Sequence, residues 1–154
     1  MQRHSSTSSG SPIVLLEAVR RLDRRLSGTV DGELEELALT TSLYLTLEAL
    51  DAEPQIHASQ LARTLRITRQ STHALLTKLR YGDLIQLLPP DLGVRGLVLT
   101  DVGRRRLVAA RDAVAHVLAP LEDEVAPGDL TRLIELMDRT SQTLRPRPPP
   151  WWFG

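Results

Sequence analysis

The chain has 154 residues, 42% of them apolar, and equal numbers of acidic and basic side chains, so its formal net charge is zero. That size suits one compact domain, or a small domain with an oligomerisation region. No run approaches the roughly 20 uncharged apolar residues of a membrane span, and the lack of cysteine excludes disulfides and thiolate chemistry.

Residues 1–10 are polar and serine-rich, without the apolar core of a secretory signal, and are expected to be a disordered tail on a soluble, cytoplasmic protein. Ser11 followed by Pro12 marks a helix start. Leu15, Val19, Leu22 and Leu26 then form an apolar stripe at helical spacing, with Arg and Asp on the other faces. A stop is expected near Ser27-Gly28. A second helix is expected from about Gly32 to Leu50, burying Leu34, Leu37, Leu43, Leu47 and Leu50, with Pro54 closing it. The acids Glu33, Glu35 and Glu36 read as helix-start charge, not as a carboxylate pair for acid/base work.

An extended piece, Gln55–His57, leads to a helix over Ser59–Leu65, a turn at Arg66-Ile67, and a helix from Thr68 to about Tyr81. Leu84–Leu88 and Gly96–Leu99 read as strands around a loop at Pro89–Gly93, where Pro-Pro-Asp-Leu-Gly is turn chemistry. Thr100-Asp101 caps a long helix to about Glu124, with Leu107, Val114, Val117, Leu118 and Leu121 on its apolar side. Pro127-Gly128-Asp129 restarts the chain into a last helix to about Leu144, striped by Leu130, Leu133, Ile134 and Met137. Residues 145–154 form a proline-rich tail ending Trp151-Trp152-Phe153. A flexible tail is the default for it, although exposed aromatic residues favour docking.

Charge is distributed unevenly. Between Ala58 and Arg106 stand nine Lys/Arg and three Asp/Glu, leaving ten basic and sixteen acidic residues elsewhere. A polyanion responds to such local density, not to the whole-chain sum. The island coincides with the helix-turn-helix pattern. There Leu61 and Leu65 share a face, Ala62 lets a second helix pass close, Ile67 plugs the turn, and Thr68 caps the next helix. Thr72, Leu75, Leu76 and Leu79 point inward on that helix, leaving Arg69, Gln70, His73, Ala74, Thr77 and Lys78 outward.

Such a helix fits the major groove, its first residues nearest the base edges. Arg69 suits a guanine edge and Gln70 an adenine. The candidate DNA-binding residues are Arg63, Thr68, Arg69, Gln70, Ser71, His73, Thr77 and Lys78, with Arg95 near the hairpin tip suited to the minor groove. Lys78, Arg63 and Arg66 are placed for phosphates, which set register and not sequence preference. Lys78 is the single lysine among nineteen cations; the arginine bias itself fits a GC-rich genome. Arg104-Arg105-Arg106 reads as a solvated helix face, and His57 and His116 as structural histidines without metal-ligand spacing.

Glycine-rich phosphate loops, nucleophile elbows and metal motifs are missing from the sequence, so neither a cofactor nor an enzyme is expected. The 3% aromatic content argues against stacking on single strands. The rival reading is a winged-helix module that docks a protein instead of DNA.

The order of elements, and the run Leu61-Ala62, Leu65-Arg66-Ile67-Thr68-Arg69-Gln70-Ser71, Leu75, Leu79, Leu84-Ile85 and Leu97-Val98-Leu99-Thr100-Asp101-Val102-Gly103, resemble the MarR family of bacterial transcription regulators. The similarity covers residues 12–144. It implies a mainly α winged helix-turn-helix fold with a small β-wing. The DNA-binding region would be residues 31–104, with dimerisation helices at 11–30 and 105–144. It also implies a homodimer on a pseudo-palindromic operator, acting as a repressor relieved by a small aromatic ligand. The ligand would sit in a pocket near Leu16, Tyr44, Leu47 and the start of the long helix. Three departures stand out: Arg66 and Asp83 occupy positions where the family usually has glycine, and the wing, Asp91-Leu-Gly-Val-Arg95, is about two residues short.

Overall fold

A computed structural model describes residues 11–88 and 96–144; the two tails and the hairpin tip, with Arg95, lie outside the described residues. The fold is mainly helical with one two-stranded antiparallel sheet. Its elements are α1 (Pro12–Leu34), a 3-10 turn (Glu35–Leu37), α2 (Thr41–Ala52), α3 (Ala58–Thr64), α4 (Arg69–Tyr81), β1 (Ile85–Leu87), β2 (Leu97–Leu99), α5 (Asp101–Glu124) and α6 (Pro127–Thr143). The chain divides into two compact units between Val117 and Leu118, inside α5.

Ser11 caps α1, its hydroxyl accepting from Ile13 N at 3.4 Å, with Pro12 in the first turn. The expected stop at Ser27-Gly28 does not occur, and α1 runs on to Leu34. Gly28 is exposed with open space around it, so its cost to the helix, about 1 kcal/mol, is tolerated. Val30 and Leu34, both buried, hold the continuation to the core. The real break is at Ala38, a left-handed residue with φ 50°. Its N–H donates to Glu35 O at 2.9 Å, and Leu39 N–H donates to Leu34 O at 3.1 Å. Those two bonds satisfy carbonyls that a helix end leaves open. Asp31 then ties α1 to the start of α2, accepting from Thr41 N at 2.5 Å and Thr41 Oγ1 at 2.7 Å. The second helix accordingly begins at Thr41, not near Gly32.

In the first unit, Leu34, Leu47, Leu50, Ile56, Leu61, Leu79 and Leu107 are closed off from solvent and form the core on which α3, α4 and the hairpin sit. Leu37, expected in that core, is only half-buried. Register in the hairpin pairs Ile85 with Leu99, Gln86 with Val98 and Leu87 with Leu97. The predicted extended piece joins its far edge: Gln55 N–H donates to Leu97 O, and Leu97 N–H donates to Ile56 O, at 3.1 and 3.2 Å. In the second unit, α6 starts at Pro127 and follows its expected stripe, yet Leu133, Ile134, Leu136 and Met137 are all exposed.

Candidate nucleic-acid interface

The interface is built from the α3–α4 corner. Leu61 and Ala62 are buried on α3, and Thr72, Leu76 and Leu79 on α4, so the two helices meet through small and aliphatic side chains. The corner repeats the device that ends α1. Arg66 is left-handed at φ 54°, its N–H donating to Arg63 O at 3.2 Å while Ile67 N–H donates to Ala62 O at 3.0 Å. Thr68 then caps α4, accepting from Ser71 N at 3.0 Å. Inside the helix, Thr72 is buried because its hydroxyl donates to Thr68 O at 3.0 Å. The departures from glycine at Arg66 and Asp83 are therefore real left-handed positions, Asp83 also at φ 54°.

This packing leaves Arg69, Gln70, Ser71, His73, Ala74, Thr77 and Lys78 exposed along one side of α4, the division expected from the sequence. Their hydrogen-bonding capacity is unequal. Thr68 and Ser71 share a 2.8 Å hydroxyl contact at the cap, and Thr77 donates to His73 O at 2.8 Å. These hydroxyls serve the helix first. No acid occurs in α4. Arg63 is exposed in the last turn of α3. Arg95 lies outside the described residues. A groove between α4 and the hairpin is lined by His73, Leu76, Thr77, Arg80, Leu87 and Leu97, with Ala58 of α3 at its edge.

The sequence reading missed two features here. Tyr81, 95% exposed, ends the outward side of α4; its spacing of eleven residues from Gln70, three helical turns, is the signal that could have placed it. The arginine run also divides instead of forming one solvated face. Arg104 donates to Leu99 O at 3.0 Å and pairs with Asp101 at 2.6 Å. Arg106 donates to Leu37 O, holding the 3-10 turn, and Arg105 stays exposed.

Thr100 fastens the hairpin to its neighbours. Its hydroxyl donates to Asp83 O at 2.6 Å and accepts from Gly103 N at 2.9 Å, while its N–H donates to Leu84 O at 3.0 Å. One residue thus fixes the end of α4, the start of β1 and the start of α5.

On the far side of α2 a polar cluster joins it to α5. Arg111 grips Glu48 through two bonds, 2.9 and 2.7 Å, and reaches Asp51 at 2.7 Å. The hydrogen bond from Arg111 holds the Glu48 carboxyl below its ordinary range. Burial, then Glu48, pushes the Tyr44 phenol up to about 12. Of the positions expected near a ligand, Leu47 is closed in the core, Tyr44 is half-buried in this cluster, and Leu16 is exposed on α1. Among the described residues no group of three or more His, Asp or Glu is placed to hold a metal, and no helix is long and apolar enough to cross a membrane.

No protein-family model matches the chain. Among curated proteins there is no match either. Solved structures do match. The transcriptional repressor CouR bound to p-coumaroyl-CoA is 25% identical with a TM-score of 0.74, over 82% of this chain and 91% of that one. CouR bound to a 23-mer DNA duplex is 26% identical with a TM-score of 0.73, over 80% and 89%. A mutant MarR from E. coli complexed with operator DNA is 17% identical with a TM-score of 0.74, over 83% and 94%. The described residues have the fold of the MarR-family transcription regulators.

Proposed function

We propose that the protein is a sequence-specific, duplex-DNA-binding transcription regulator, a homodimer acting as a repressor that a small ligand relieves. The observation carrying this reading is the outward side of α4. It is acid-free and exposed, with Arg69, Gln70, His73 and Lys78 on a helix whose buried side packs in the core. Local positive charge supplies sequence-independent attraction, and polar side chains on one groove-sized helix supply selection. CouR, a repressor of the same fold, is known bound to a DNA duplex and to p-coumaroyl-CoA, which supports both the DNA and the ligand parts. Arg69 and Gln70 read base edges, while Lys78 and Arg63 contact phosphate. The regulatory role places the chain outside the enzymes.

Fluorescence anisotropy on duplex DNA from upstream of the protein's own gene tests this, with a scrambled duplex as control at two salt concentrations. Sub-micromolar binding with preference over the scramble is expected. In that complex Lys78→Ala weakens all duplexes alike and, with one Lys78 in each subunit, lowers the salt slope by about 2. An Arg69→Ala, Gln70→Ala double variant instead erodes the preference. Binding indifferent to salt and sequence would sink the proposal in favour of a protein-docking module.

A further inference from the structure

The arrangement of side chains across the exposed side of α4 says more than its net charge. At 3.6 residues per turn, Thr77, Gln70, Tyr81 and Ala74 fall within about 60° of one another, opposite the buried line of Thr72, Leu76 and Leu79. Arg69, His73 and Arg80 lie along one flank, and His73 and Arg80 line the groove toward the hairpin. Lys78 lies on the other flank. The middle of the face is therefore uncharged, and the cations stand to either side of it: His73, Arg80 and Lys78 where the two phosphate backbones of a groove would be, and Arg69 at the helix start nearest the base edges.

That middle has a definite chemistry. Gln70 offers an amide with one donor and one acceptor side, the match for an adenine edge. Ala74 offers only a methyl. Thr77 has its hydroxyl hydrogen on His73 O, which leaves its methyl and the acceptor side of its oxygen to meet a partner. The one feature of a major-groove base edge that a methyl recognises is the thymine C5-methyl. A cation for the guanine edge is available at the helix start, at Arg69, but not at the centre.

Resting on the DNA-binding reading above, we propose that Ala74 and Thr77 are specificity-determining residues that pack against thymine methyls, with Gln70 on a neighbouring adenine. The centre of each half-site is then A·T. The full-length protein is first used to select its sites from a random duplex pool. Thymines of the selected half-site are then replaced singly by deoxyuridine, which removes only the C5-methyl.

The expected result is A·T at the half-site centre and a loss of about three- to fivefold on replacing a central thymine, the worth of one methyl burial. Thr77→Ser deletes a methyl and keeps the hydroxyl, and Ala74→Ser makes the second methyl site polar. In at least one of these variants the deoxyuridine penalty disappears while the salt slope is unchanged. A G·C centre, tolerance of deoxyuridine at every thymine, or a penalty that persists in both variants would overturn the inference while leaving a sequence-specific regulator in place. Failure of the pool to enrich any sequence would overturn the DNA-binding reading itself, and this inference with it.

Discussion

Three helices in this chain end through a left-handed residue, and none of the three is glycine. Ala38, Arg66 and Asp83 each donate their N–H three residues back, while the following residue, Leu39, Ile67 or Leu84, donates five residues back. In each case the residue after the turn and its hydrogen-bond partner are apolar: Leu39 with Leu34, Ile67 with Ala62, Leu84 with Leu79. That pairing is the apolar contact that normally accompanies this cap, and it holds the turn where glycine's freedom is missing. An L-residue in this conformation costs about 1–2 kcal/mol, against about 0.5–1 for the extra unfolded-state freedom of glycine. Ala38→Gly should therefore stabilise by about 0.5–1 kcal/mol, raising the melting temperature by about 1–4 °C, and Arg66→Gly should gain less because the arginine side chain has an interaction of its own to lose. Asp83→Gly should gain less, because aspartate tolerates this region better than alanine. Thermal unfolding of the three single variants checks the order. Gly103 is the opposite case: a Cβ there would lie 2.0 Å from Leu84 O, a backbone atom. Gly103→Ala should destabilise by about 1–3 kcal/mol or more, because α5 must move off the hairpin. A melting temperature equal to that of the unaltered chain would show that this junction is looser than the structure indicates.

At the scale of elements, one charged cluster joins α5 to α2 beside the buried leucines. Arg111 sits about half in solvent, so its paired bonds to Glu48 and Asp51 are screened, and Arg111→Ala should cost about 1 kcal/mol. The pH dependence has a fixed sign. The folded-state value of Glu48 is lowered, so its contribution is present above the ordinary glutamate value of 4.5 and is lost as pH falls through the lowered one. As pH falls below 4.5 the unaltered chain should lose stability more steeply than Glu48→Gln, and parallel loss of stability in the two proteins would refute the linkage. Legibility in the sequence follows the same division. The α3–α4 corner was readable because its cap, its inward leucines and its outward polar residues lie within twenty residues and repeat at helical spacing. The α1–α2 boundary was not, because Gly28 carries the residue type of a stop in a place where nothing opposes a helix. Ala38, which does the stopping, has no such mark; only the buried Leu34–Leu39 contact reveals it. The roles of Arg104 and Arg106 were hidden for a related reason, since their carbonyl partners come from other elements and leave no periodic trace.

For the whole molecule, the deciding feature is an apolar stripe that a single chain covers only in part. On α1 the positions Leu15, Val19, Leu22, Leu26 and Val30 form one ribbon along the helix. Val30 is buried and Leu26 half-buried, but Leu15, Val19 and Leu22 are 51%, 39% and 36% exposed. In the second unit α6 likewise leaves Ile134 54% and Leu136 44% exposed. Soluble monomers seldom leave apolar faces of that extent to water. In the proposed homodimer a second copy covers them and presents two α4 helices to half-sites about 10 bp apart. A Leu15→Glu, Leu22→Glu variant places two carboxylates on the open part of the ribbon and leaves Val30 and Leu34 in the core. Sedimentation should then report a monomer with most of its helical circular dichroism intact. Operator affinity should fall on the order of 100-fold or more, since each half-site loses the effective concentration supplied by its partner. The residual binding should keep its preference for the half-site sequence, because the reading helix is untouched. A variant that remained dimeric with full affinity would move the dimer contact off α1, and the exposed ribbon would then need another partner.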